Sequence, residues 1–125
     1  MAFYIKLENE DAGFDPYVNG KALARLGEDL EMMAERAGVP PLMSFFSASR
    51  EDLGEFLDEE EMGAVTLPPE QWFSAETGLK TVRALWTEAG NAPEFEPVKS
   101  DLREFERVLQ QAQAKGIRWH LAIDS

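Results

Sequence analysis

The first residues alternate. Phe3, Ile5 and Leu7 fall on one side and Tyr4, Lys6 and Glu8 on the other, which predicts a strand over residues 2–8 with one buried face. The polar, glycine-containing stretch from Glu8 to Gly13 ends it. The period then changes. Leu23, Leu26, Leu30, Met33 and Ala37 recur at spacings of three and four and predict one helix over 19–37. Asn19 is its expected N-cap, with an earlier start (Asp15 as cap, Pro16 at the first helical position) as the alternative. Gly38 and the prolines behind it stop it.

Residues 42–47 (LMSFFS) are apolar and read as a short buried strand or extended segment. Ser49 caps an expected helix over 50–60 whose inner face is Leu53, Phe56 and Leu57, weakened by Gly54. The Pro68-Pro69 pair makes 61–74 irregular, and whether 64–67 is a strand is left open. Ser74 starts a third helix with Leu79, Val82, Leu85 and Trp86 on one face, ended by Gly90-Asn91. A fourth covers 97–115 through Val98, Leu102, Phe105, Leu109 and Ala112, closed by Gly116. Alternation returns at the end: Ile117, Trp119, Leu121 and Ile123 face one way, Arg118, His120 and Ala122 the other. Two terminal strands, each with one apolar face, need neighbours for their backbones. The expected fold class is therefore α+β, a small, mostly antiparallel sheet holding both termini and covered by about four helices, in a single domain over 1–125.

Composition narrows the function classes. No cysteine is present, which excludes disulfides, thiolate chemistry and cysteine-ligated zinc. The N-terminal MAFYIKLENED has no signal-peptide pattern and no apolar run approaches bilayer length, so the expected location is cytoplasmic. Net charge is −12, and residues 51–79 hold nine acids with no Lys or Arg. That surface repels nucleic acid and anionic membrane and suits a basic protein partner.

The densest feature is Glu51, Asp52, Glu55, Asp58, Glu59, Glu60 and Glu61. The run lacks the alternating ligands and central glycine of a calcium loop, so no metal is assigned, and no cofactor motif accompanies it. A solvated helix face accounts for it simply. Its self-repulsion also favours an external counter-charge, which makes it a docking surface, with Trp72 and Phe73 of the proline-flanked segment as apolar anchors. The lone histidine, His120, has no nucleophile elbow, HExxH or phosphate loop beside it, so no catalytic residue is assigned. Two function classes follow. The first is a protein-interaction module of inhibitor, immunity or regulatory type. The rival is a ligand-binding protein or enzyme with a pocket around Tyr4, Arg118 and His120. A homo-oligomer using that sheet face or its edges is a third reading.

Overall fold

The computed structural model describes residues 1–9, 11–49 and 69–124. The helix expected over 50–60, the acidic run 51–61 and residues 64–67 lie outside them. Among the described residues two strands form the sheet, β1 (Ala2–Leu7) and β2 (Trp119–Asp124), paired antiparallel from Ala2 opposite Asp124 to Leu7 opposite Trp119. The termini therefore meet as the alternation requires, in an α+β fold. Paired residues share a face, so Phe3, Ile5, Leu7, Trp119, Leu121 and Ile123 point inward together. Tyr4, Lys6, His120 and Ala122 line the outer face.

The outer side of β2 differs from expectation. Trp119, His120, Leu121 and Ala122 are all buried, so this strand is covered on both faces. The reason is tertiary: the segment around Glu70–Phe73 lies across the outer face and along the edge of β2. Phe73 and Trp119 exchange backbone hydrogen bonds of 2.7 and 2.9 Å, and Ser47 N–H donates to Leu121 O at 3.2 Å. At the other edge Gly20 and Phe3 exchange bonds of 2.8 and 3.1 Å. Short bridges thus occupy both outer edges, leaving less free backbone to recruit another chain.

The described helices number four, and the first of the expected helices is divided. The 19–37 helix is broken at Leu26 into α1 (Lys21–Arg25) and α2 (Gly27–Ala37). Gly27 follows the break, a residue type that bends helices. Leu23, Leu30 and Met33 are buried as the stripe predicts, whereas Ala37 is exposed. Neither expected cap forms. Gly20 occupies the cap position of α1, and a Cβ there would lie 2.8 Å from Phe3 O, so close approach to β1 demands glycine. The cap comes from far along the chain, where Asp101 accepts from Ala22 N–H at 3.0 Å and Leu23 N–H at 3.2 Å. Burial pushes the Asp101 carboxyl above its ordinary range, against the pull of these two bonds.

Residues 42–47 are not a strand. Leu42–Phe45 form one 3-10 turn that buries Leu42 and Phe45, and only Phe46 bridges β2. A proline pair just before them favours a tight turn at this point. The later helices follow the sequence closely. In α3 (Ala75–Ala89) Ser74 Oγ accepts from Thr77 N–H. A 3-10 turn (Pro93–Phe95) leads into α4 (Glu96–Lys115), which ends on Gly116 at φ 68°. Helix α3 packs along α4 and α2, and α1 rests on β1 and α4.

Trp119 joins these layers. It is fully buried, its indole Nε1 donates to Ser74 O at 3.1 Å, and its ring stacks on Phe45 with centroids 5.1 Å apart. Gly78 of α3 makes the room. A Cβ built there would lie 2.7 Å from Trp119 Cε2 and 2.8 Å from Nε1. We expect Gly78→Ala to lose about 1–3 kcal/mol by overpacking, although alanine normally gains about 1 kcal/mol over glycine in a helix. Gly27 has no atom within 4 Å of such a Cβ, so Gly27→Ala should be neutral or gain up to about 1 kcal/mol. Urea melts of the pair test this, and equal shifts would refute the fit.

Candidate functional site

The outer face of the sheet gathers the ionisable groups. Register places Lys6 opposite His120, and Glu70 closes over both. Glu70 Oε2 is 3.0 Å from Lys6 Nζ and 2.7 Å from His120 Nε2. The other ring nitrogen of His120, Nδ1, is 2.9 Å from Leu121 O. The carbonyl and the carboxylate are both acceptors, so the ring is held between two groups that take its N–H hydrogens. Trp72 covers it, with ring centroids 4.7 Å apart. Burial pushes the Glu70 carboxyl up, but the hydrogen bonds from His120 and Lys6, together with their charges, outweigh it and hold it below the usual carboxylate range.

This arrangement is a clamp. His120 is 0% exposed and both its nitrogens are occupied. A general base must reach its substrate's proton, and this ring faces only protein. Arg118 is exposed before β2, where it forms a forked ion pair with Glu8, while Tyr4 lies on the same outer face as His120, in the next register pair of that face, and borders a groove. Of the two expected apolar anchors, Trp72 is half-buried on His120. Phe73 packs edge-on against Phe45, with centroids 5.3 Å apart. The seven acids of 51–61 lie outside the described residues. Trp86, expected in the core, is half-buried at the surface under Lys99 Nζ, 4.3 Å above its ring.

The groove beside Tyr4 encloses about 410 Å³ and is bordered by Asp15, Tyr17 and Asp124. Asp15 Oδ1 accepts from Tyr17 N–H at 2.9 Å, an Asx turn rather than a helix cap, because the helix begins only at Lys21. Arg107 reaches from α4 to within 3.4 Å of both Asp15 O and Tyr17 O and fixes the loop from below. Tyr17 is 68% exposed.

The sequence reading did not single out Glu70, Tyr17 or Asp124, nor Asp15 beyond its role as a cap. For Glu70 a signal existed, since residues 70 and 72 share a side of any extended segment. For the groove none did, because its walls come from the two chain ends and a loop. Among the described residues, no group of three or more His, Asp or Glu is arranged to hold a metal ion. No helix there is long and apolar enough to cross a membrane. Comparison with known proteins finds no matching family model, curated protein or solved structure.

The clamp predicts a pH dependence. A carboxyl held below its ordinary value stabilises the fold above that value and loses the contribution as pH falls through the folded one. Glu70→Gln should therefore cost about 1–3 kcal/mol at neutral pH, with the gap to the native chain closing below pH 4.5. Urea melts from neutral pH down to about pH 3 measure it. A gap that does not change with pH would show that the carboxylate charge is not what clamps the segment.

Proposed function

We propose that this chain is a small acidic protein-interaction module that binds a basic protein partner. The observation that carries the reading is the segregation of charge: nine of the twelve excess negative charges lie in residues 51–79, a stretch without a single Lys or Arg. Five of the described cations are already committed to carboxylates outside that stretch or towards its end. Arg36 faces Glu88, Arg83 faces Glu106, Arg107 faces Glu104, Arg118 faces Glu8 and Lys6 faces Glu70. Lys99 and Arg103 cover Trp86, and Lys115 lies 6.0 Å from the Phe14 ring centroid. An acidic run with no Lys or Arg of its own raises the encounter rate with a cationic protein and repels nucleic acid and anionic lipid. Such steering suits an inhibitor, an immunity protein or a regulatory protein, and the reading covers any of them. Because the rings of Trp72 and Phe73 are engaged by His120 and Phe45, the acids rather than these aromatics carry the recognition.

Capture of partners from the native host, followed by kinetics with the purified partner, tests the proposal. Affinity should fall at least about tenfold between low and several-fold physiological salt, because exposed charges are screened beyond ~8–10 Å. Reversal of Asp58, Glu59 and Glu60 to lysine should slow association about tenfold and leave dissociation nearly unchanged. A partner whose binding ignores both salt and the triple reversal would exclude electrostatic docking.

A further inference from the structure

We infer that the groove between the 15–19 loop and the outer end of the sheet is the seat of an arginine side chain from that basic partner. This inference rests on the interaction-module reading and gives it a second contact point, away from the acidic run in sequence.

Charge complementarity is the main argument. Asp15 and Asp124 are the only charged residues lining the groove, and among the described residues no Lys, Arg or His pairs with either side chain. Elsewhere the chain supplies its own cation to a surface ring. Lys99 and Arg103 lie over Trp86 at 4.3 and 5.4 Å, and Lys115 over Phe14 at 6.0 Å. Tyr17, the most exposed aromatic ring among the described residues, has none. The groove thus presents what the Trp86 cleft already has filled: an aromatic surface beside carboxylates, waiting for a cation.

Shape and rigidity select arginine. Tyr17 offers exposed ring surface, the lining residues Ala2 and Val18 are apolar and buried, and Asp15 and Asp124 are exposed. A planar guanidinium stacks on an aromatic face while its N–H fork bonds a carboxylate, and its methylene stem covers apolar ground. A lysine ammonium is a compact, strongly hydrated point charge and does only the second of these well. About 410 Å³ falls at the small end of ligand pockets and holds one long side chain with its neighbours. The loop is already set by the Asx turn at Asp15, by Arg107 and by the Gly20–Phe3 bridge. Little ordering cost is left to binding.

The test uses the full chain, isotope-labelled, titrated with a blocked tetra-arginine peptide. Its citrulline and lysine counterparts serve as controls. The arginine peptide should shift the amides of Tyr4, Tyr17, Val18 and Asp124. The exposed-site variants Tyr17→Ala and Asp124→Asn should each weaken binding about three- to tenfold while leaving the rest of the spectrum native. The citrulline peptide should not bind, and the lysine peptide should bind the groove several-fold more weakly. Shifts confined to residues 51–61, with the variants binding as the native chain does, would overturn the groove and leave the docking reading standing. Equal occupancy of the groove by the lysine peptide would overturn its assignment to arginine. Absence of any binding at low salt would overturn both readings.

Discussion

The structure depends on Trp119 being laid against Gly78. A tryptophan is the largest side chain a core can hold, and this one stands at the first position of β2, between the sheet and α3. It fits because α3 carries no side chain at the point of contact. The same ring stacks on Phe45 and donates to Ser74 O, so the 3-10 turn, the start of α3 and the C-terminal strand all take their positions from one indole. Ser74 in turn caps α3. In a core packed like a crystal, one bulky residue facing one glycine fixes the relative height of two elements more tightly than general apolar contact does.

That placement decides what happens on the other side of the sheet. Because Trp119 points inward, His120 must point outward, and the bridge between Phe73 and Trp119 brings Glu70 and Trp72 over it. The groups there are partly enclosed and paired: a carboxylate is shared between an imidazole ring and an ammonium, under an aromatic lid. Breaking one member of such a set leaves another charge poorly solvated, which is why the set resists opening. The arrangement holds residues 69–74 to the sheet at the point where the chain returns from its acidic stretch.

Several of the described cations act as internal fasteners. They tie α2 to α3, α3 to α4, the 15–17 loop to α4, and the two strand ends to each other. The acids are twice as many, so a surplus remains over after every such pairing. The excess is therefore negative and lies mostly in one stretch of sequence. The proposed basic partner and the arginine seat both follow from this imbalance.

The sequence by itself determined the two terminal strands, the α+β class and the helices that became α3 and α4. Each of these carries a long one-sided apolar period, and Ser74, Gly38, Gly90 and Gly116 mark helix ends in any context. It also exposed the charge segregation, which is a property of composition. Where a segment's state depended on a residue far away, local pattern was not enough. The 19–37 stripe has helical period throughout, yet its start is capped by Asp101 and its course bends at Leu26. Residues 42–47 have strand-like composition, yet they turn under Trp119. His120 sits on the polar side of an alternating strand, yet it is buried because Glu70, fifty positions earlier, covers it. The groove is assembled from Tyr4, Asp15, Tyr17 and Asp124, residues with no common period. Periodicity records which face a segment buries against its own nearest layer. Only tertiary structure decides what lies across the opposite face, because that depends on where distant backbone is free to hydrogen-bond and where a side chain as large as Trp119 finds room.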